Sequence, residues 1–130
     1  MFGYAISAAL GGAIGAALRY ITTQVAANIW GSALPYGTLI VNILGSFLMG
    51  ILFVLFAERL NVGQGMSEYL RVFLMTGILG GFTTFSAFSL DAWQMIERQA
   101  YIGALSYIAF SFLLSISALI LAIYITRSVT

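Results

Sequence analysis

The segment GILGGFTTFSAFSLD, residues 77–91, carries the most information about how this chain folds. It begins within a run of 19 uncharged residues between Arg71 and Asp91, about the length that a membrane-spanning helix needs. Two adjacent glycines followed by two threonines and a serine are poor helix formers, so we expect this helix to be broken near the bilayer midplane. Such a break is tolerated only against protein or a cavity, where its freed carbonyls commonly hold a cation.

The composition of the whole chain is that of a membrane protein. Of its 130 residues, 62% are hydrophobic and 7% are charged, whereas soluble domains carry about 25% charged residues. The absence of Cys and His excludes disulfides, thiol chemistry, Cys/His metal sites and Ser-His triads, so we expect no enzyme. The net charge of +1, with scattered arginines and no lysine, offers no basic patch for nucleic acid or anionic lipid headgroups. We therefore expect the partners of this chain within the lipid bilayer.

Charge-free runs divide the chain into four expected spans. They hold 18 residues before Arg19, 38 between Arg19 and Glu58, 19 before Asp91, and 28 between Arg98 and Arg127. The 38-residue run is long enough to cross twice, and residues 28–37, which include the only proline, supply its turn. A single transmembrane domain of residues 1–130 would then have spans near residues 3–27, 37–57, 70–96 and 101–126.

The chain ends and connections fit a multi-pass protein of the cell inner (plasma) membrane. The connection at residues 61–67, NVGQGMS, is the most polar of the short connections. The N-terminal sequence MFGYAIS has neither a basic region nor an A-x-A cleavage site. We therefore expect it to be part of the first helix and not a removable signal peptide.

The arginines give almost no signal for orientation. Arg59, Arg71 and Arg127 would lie on the N-terminal side of the membrane, against Arg98 and Arg19 on the other. Because Lys/Arg asymmetry normally sets orientation, three against two is a weak bias. One interpretation is a single, weakly biased topology. The other is insertion in both orientations, so that an upright and an inverted copy form an antiparallel dimer.

The first span combines a packing signal with a buried charge. Small residues at positions 11/15 and 12/16 allow two helix backbones to approach closely. Arg19 lies inside the span, where a charge costs about 2.5 to 3.5 kcal/mol on insertion scales. Either its side chain extends to the interface beside Tyr20, or it lines an aqueous vestibule that attracts anions.

Two spans carry stripes of neutral polar side chains spaced four residues apart, which places each stripe on one helix face. The stripes are Thr38, Asn42 and Ser46 in the second span, and Tyr107, Ser111 and Ser115 in the fourth. Such groups can simply join helices through hydrogen bonds worth about 0.6 kcal/mol each. Two stripes in one small chain fit a narrow polar track better.

Phe85 and Phe88 follow the expected break three residues apart, so both rings would point to one side of a resumed helix. Taken alone, such a pair is usually part of a hydrophobic core. The whole string GGFTTFSAFS, however, resembles the GGxTTFSTFS signature of the Fluc (CrcB) fluoride channels. One departure is Ala87, which stands where the family usually has Thr and removes a hydroxyl between the two rings.

The resemblance extends over nearly the entire chain, in the order and spacing of the family. It includes G-x-x-x-R ending at Arg19, G-T-L-x-V-N ending at Asn42, the Glu97-Arg98 pair, and the ladder that begins at Tyr107. It implies an all-α membrane protein that is an antiparallel, dual-topology homodimer of four-helix subunits, with the third helix broken. It also implies two narrow pores at the dimer interface through which fluoride leaves passively, lowering cytoplasmic fluoride, and a structural sodium ion between the subunits.

The resemblance also implies which residues form the site. Phe85, Phe88 and Asn42 match the pore-lining positions of the family. Tyr107, Ser111 and Ser115 match its polar track, and Gly80 and Thr83 match the positions whose main-chain carbonyls hold sodium. Arg19 and Thr38 match motif positions without a defined role.

The neutral groups in the two stripes are consistent with this implication. Fluoride is strongly hydrated, so a path must replace its water with hydrogen-bond donors and avoid a cationic trap. Amide N–H groups, hydroxyls and the positive edges of aromatic rings meet both conditions.

The main alternative is a small multidrug-type proton-coupled exporter, which also has four helices and can form inverted dimers. Such an exporter needs a titratable carboxylate in its first helix. Residues 1–57 contain no Asp or Glu, and Asp91 is the only carboxylate near the interior of a span. A structural or holin-like membrane protein is a third possibility, but it leaves the polar stripes and the expected break unexplained.

Overall fold

The computed structural model describes residues 1–60 and 65–130, and this part of the chain is helical without any β-strand. The helices are α1 (Phe2–Trp30), α2 (Tyr36–Phe53), α3 (Met66–Arg71), α4 (Gly80–Phe82), α5 (Ser86–Glu97) and α6 (Tyr101–Val129). Two π-helical stretches complete the architecture: Val54–Arg59 continues α2, and Val72–Leu79 joins α3 to α4. Of the expected polar connection, residues 61–64 lie outside the described residues.

These elements form four helical segments long and apolar enough to cross a membrane, as expected for the all-α class. The segments are Phe2–Trp30, Tyr36–Arg59, Met66–Glu97 and Tyr101–Val129. Each extends a few residues beyond the corresponding span expected from the sequence. The prediction of four helices capable of spanning a membrane is therefore confirmed.

Helix α1 packs closely against the π-helical stretch Val72–Leu79 because glycines remove side chains from the contact. A Cβ atom on Gly77 would lie 2.8 Å from the Cα atom of Gly11, and one on Gly15 would lie 2.8 Å from the amide nitrogen of Phe82. Both distances are shorter than van der Waals contact allows, so the backbones can meet only without side chains. The close packing predicted for the small residues of the first span is confirmed.

Between α4 and α5 the chain leaves the helical conformation for three residues. Thr83 is extended, with φ −87° and ψ 159°, and Thr84 and Phe85 also lie outside the helices. The last helical bond before them runs from the amide of Thr83 to the carbonyl of Leu79 over 3.0 Å. The chain resumes a helix at Ser86. We call residues 83–85 the interruption.

Helices α2 and α6 frame one side of the interruption. They pack along each other, and α5 packs on α6 through a cluster that includes Phe88, Met95 and Tyr107. On α2, Gly45 leaves the space that the methyl group of Thr83 occupies. Because position 45 has no side chain, the interruption can pack directly against α2.

The outer surface of the subunit is apolar along most of α1 and α6. Leu10, Ile14 and Leu18 are exposed on α1, and Leu113 and Ile120 are exposed on α6. An apolar exterior of this extent suits lipid or a second protein surface and not water. The ion pairs lie near helix ends, where Arg127 contacts Glu58 at 2.7 Å and Arg71 contacts Glu68.

Candidate functional site

A groove of about 430 Å³ lies between α2, the interruption and α6, and it opens to the outside of the subunit. It brings together eight of the residues singled out from the sequence: Asn42, Ser46, Gly80, Thr83, Phe85, Phe88, Ser111 and Ser115. The other lining residues are Gly45, Met49, Thr84, Phe112, Ile116 and Leu119. The groove has no charged residue in its lining, within the part of the chain that the structure describes.

Asn42 fastens the interruption to α2 through both ends of its carboxamide group. Its Nδ2 donates to the carbonyl of Thr84 over 2.9 Å, and its Oδ1 accepts from the amide of Thr84 over 2.8 Å. A carboxamide has two N–H donors, so one of them remains for a ligand in the groove. Asn42 thus combines a structural role with the ability to donate one further hydrogen bond.

The interruption diverts two backbone amides away from the carbonyls that they would bind in a continuous helix. The Thr84 amide binds Asn42 instead of the Gly80 carbonyl, and the Ala87 amide donates over 3.1 Å to Oγ1 of Thr84 instead of to the Thr83 carbonyl. Neither the Gly80 nor the Thr83 carbonyl accepts a hydrogen bond from residues 1–60 or 65–130. Two free main-chain oxygens in one groove are ligands suited to a hard cation.

Arg19 binds a main-chain carbonyl within α4. Its Nε donates to the carbonyl of Gly81 over 3.0 Å, and its side chain is partly buried. The guanidinium group is thus tied to the end of α4, and it does not line the groove. The Gly81 carbonyl therefore has a donor, whereas the carbonyls of Gly80 and Thr83 have none among the described residues.

Ser111 and Ser115 line the groove, one helical turn apart on α6. Both Oγ atoms are buried, and neither has a hydrogen-bond partner in the described part of the chain. Leaving a buried polar group unpaired costs about 1 to 3 kcal/mol, so two in succession are expected where a ligand or water completes them. This pair of unpartnered hydroxyls is the strongest indication of a binding path in the subunit.

The two predicted phenylalanines lie at the head of the groove in a cluster of rings. The centroids of Phe85 and Phe88 are 5.5 Å apart, and Phe88 lies 5.2 Å from Tyr107 and 5.6 Å from Phe112. Phe88 is 7% exposed, whereas Phe85 is 67% exposed. Phe88 is therefore fixed within the subunit, and the ring of Phe85 is available to a surface outside it.

Tyr107 and Thr38 are not part of the groove lining. The hydroxyl of Tyr107 donates to Oδ2 of Asp91 over 3.2 Å. Thr38 is buried and lines a second cavity of about 190 Å³, to which Asp91 and Gln94 also belong. Each polar stripe therefore lines the groove with its second and third residues, Asn42 and Ser46 on α2 and Ser111 and Ser115 on α6. The first residue of each stripe lies nearer the start of its helix and is not part of the lining.

Two contributors to the site were not singled out from the sequence. Thr84 forms the contact with Asn42 across 42 positions of sequence, which no local pattern encodes. Phe112 lines the groove three residues before Ser115, a spacing that places both side chains on one face of α6. Its position beside the serine stripe was the signal that could have identified it.

Comparison with known proteins assigns the chain to a family. The family model described as "CrcB-like protein, Camphor Resistance (CrcB)" matches residues 6–123. The chain belongs to the CrcB family. Over 120 residues it is 48% identical to "Fluoride-specific ion channel FluC" of Rhizobium etli (strain CIAT 652), covering 92% of this chain and 93% of that protein.

Two further relatives carry the same name. The protein from Caulobacter sp. (strain K31) is 45% identical over 121 residues, covering 93% of this chain and 92% of its own length. The one from Cereibacter sphaeroides (strain ATCC 17029 / ATH 2.4.9) is 49% identical over 114 residues, covering 88% and 86%. The resemblance to the CrcB family is confirmed, and membership in a family of channels makes this chain a multi-pass inner-membrane protein and not an enzyme.

Proposed function

We propose that the protein is a fluoride-selective channel that lets fluoride leave the cell passively and so lowers its concentration in the cytoplasm. The observation that carries this proposal is the pair of buried, unpartnered hydroxyls of Ser111 and Ser115 in an uncharged groove beside Phe88. Relatives that match most of this chain are named as fluoride-specific ion channels, which supports the same assignment.

The chemistry of the groove suits a small, strongly hydrated anion. The serine hydroxyls and the second Nδ2 hydrogen of Asn42 can replace part of the hydration shell of fluoride. The ring edges of Phe85 and Phe88 add partial positive charge without a full cation. An ion held only by neutral donors can also be released, which conduction requires.

A proton-coupled exporter is not favoured by the same residues. Helices α1 and α2 contain neither Asp nor Glu. Asp91, on α5, accepts a hydrogen bond from Tyr107 and is not part of the groove lining. Coupling proton movement to substrate movement needs a carboxylate that both can reach, and the groove does not provide one.

The active unit we propose is an antiparallel homodimer surrounded by membrane lipid, with the groove at the interface between an upright and an inverted copy. Three features support this assembly: the groove opens outward, Phe85 is 67% exposed, and the arginines give little preference for one orientation. In this arrangement the interruption is the break of the third span and lies near the membrane midplane. The exposed ring of Phe85 then lies against the partner.

A structural sodium ion between the two copies is the further part of this proposal. The Gly80 and Thr83 carbonyls of each copy would hold it, since their usual amide donors are bonded elsewhere. Among the described residues no group of three or more Asp, Glu, His or Cys could hold a metal, so main-chain oxygens are the available ligands. When bound, the ion supplies positive charge that holds these oxygens together at the interface.

Fluoride release from loaded liposomes, followed with an ion-selective electrode, tests the function. The reconstituted protein should release fluoride at a rate set by an imposed potential, with chloride-loaded liposomes giving little release. Electroneutral release that a potential cannot drive would contradict a channel. Protein purified and assayed without sodium should release less fluoride, and unchanged release would remove the sodium ion from the proposal.

Orientation is tested separately, because the chain contains no cysteine. A single Ser128→Cys substitution near the C-terminus provides one thiol per subunit. In spheroplasts, a membrane-impermeant thiol reagent should label about half of the copies if the dimer is antiparallel. Labelling of all copies or of none would contradict dual topology.

A further inference from the structure

We propose that Phe112 is a positioning residue that orients the ring of Phe88 and thereby sets the preference for fluoride over larger anions. This inference rests on the fluoride-channel function proposed above and assigns a selectivity role to a residue outside the Phe85 and Phe88 pair. In this proposal Phe112 affects the anion indirectly, because its ring contacts the ring of Phe88 and fixes its orientation.

The geometry of the ring cluster distinguishes Phe112 from the other neighbours of Phe88. The planes of Phe88 and Phe112 are 85° apart, an edge-to-face arrangement with centroids 5.6 Å apart. The planes of Phe85 and Tyr107 are tilted by 51° and 43° relative to Phe88. Phe112 is thus the neighbour that meets Phe88 nearly at a right angle.

An edge-to-face pair fixes the rotation of a ring in a way that aliphatic packing does not. The positive edge of one ring meets the negative face of the other, so rotating either ring about its Cβ–Cγ bond weakens the attraction. The direction of the Phe88 edge determines where an anion in the groove meets partial positive charge. If Phe88 turned freely, that charge would be spread over positions that suit larger ions as well.

Phe112 is also placed at the groove and not only in the packing of α6. It follows Ser111 directly, lines the groove, and is 47% exposed in the subunit. It lies 6.5 Å from Phe85, so it contacts both members of the pair. Phe112 thus contacts the ring pair and follows directly on the residue that carries the first unpartnered hydroxyl.

The same helix offers a matched control. Phe110 is 56% exposed, and in the described part of the chain it neither lines the groove nor contacts another ring. Replacing Phe110 by Leu removes the same side chain from the same helix without touching Phe88. Any effect of general α6 packing should therefore appear in both Leu variants.

The experiment measures fluoride and chloride release from liposomes for the wild-type protein and for Phe112→Leu, Phe112→Met, Phe112→Tyr and Phe110→Leu. An aromatic pair contributes enough that losing it should lower the fluoride-to-chloride ratio roughly two- to tenfold in the Leu and Met variants. Phe112→Tyr keeps the ring and should keep the ratio, as should Phe110→Leu. Gel filtration shows which variants remain assembled.

Each result has a defined meaning. A reduced ratio in assembled Phe112→Leu or Phe112→Met, with the ratio retained in Phe112→Tyr, supports the positioning role. The positioning role is overturned if Phe112→Leu and Phe112→Met both keep the wild-type fluoride-to-chloride ratio, or if Phe110→Leu loses it equally. It is also overturned if the only effect of both Phe112 variants is disassembly. Failure of the wild-type protein to release fluoride would instead overturn the proposed function itself.

Discussion

Replacing Asn42 by Ala should loosen the interruption as well as remove a donor from the groove. From the sequence alone, we expect this substitution to reduce flux with little effect on assembly. The structure adds a second consequence, because the carboxamide makes two hydrogen bonds to the main chain of Thr84, of 2.9 and 2.8 Å. Without them, both the amide and the carbonyl of Thr84 lose their partner on α2.

The loss of stability in Asn42→Ala follows from the two main-chain groups of Thr84 that lose their partner. An unpaired buried polar group costs about 1 to 3 kcal/mol, and the Thr84 groups are only partly buried. The lower end of that range, taken twice, gives about 2 kcal/mol of lost stability. This corresponds to roughly a 30-fold rise in the population in which the interruption has detached from α2.

Heating in detergent followed by gel filtration measures this loss as a lower temperature of half-disappearance of the folded peak. Ser46→Ala is the matched control, since Ser46 lies one turn further along α2, lines the same groove, and makes no side-chain hydrogen bond within the described residues. Asn42→Asp should be intermediate in stability, because a carboxylate accepts from the Thr84 amide but cannot donate to its carbonyl. It should nonetheless abolish fluoride flux by placing a negative charge in the path. Equal thermal stability of Asn42→Ala and Ser46→Ala would refute the reasoning.

Four further substitutions test the site and the packing of α1. Phe88→Ile, and likewise Phe85→Ile, should stop or strongly slow fluoride flux in proteins that remain dimeric, because an aliphatic side chain lacks the positive edge of a ring; normal flux per dimer would show that the rings are only core. Ser111→Ala should reduce flux about tenfold without lowering thermal stability, since its hydroxyl has no protein partner to lose; a clear loss of stability would contradict this. Gly15→Ala should destabilise the subunit by about 1 to 3 kcal/mol, because the added Cβ would overlap the carbonyl of Ile78; unchanged thermal stability would show that α1 can shift at little cost.

Local patterns in the sequence were sufficient for the helices and for much of the groove. Charge-free runs gave four apolar helices, and four-residue spacing placed Ser111 and Ser115 on one face of α6. The contacts between Asn42 and Thr84 and between Arg19 and Gly81 could not be predicted. They join residues 42 and 62 positions apart, and a period along one helix says nothing about which neighbour a side chain meets.

The interruption separates free main-chain acceptors from free side-chain donors, and in the proposed channel this separation would let one groove serve both fluoride and a sodium ion. The Thr84 amide binds Asn42 and the Gly81 carbonyl binds Arg19, while the carbonyls of Gly80 and Thr83 have no donor among the described residues. The free donors lie on the opposite wall, where α6 presents its unpartnered hydroxyls. In the proposed channel, the acceptors that would repel fluoride would bind the sodium ion, while the donors would remain for fluoride. Because no charged side chain of the described residues lines the groove, a passing anion meets partial charges only, which is the condition for binding that does not become trapping.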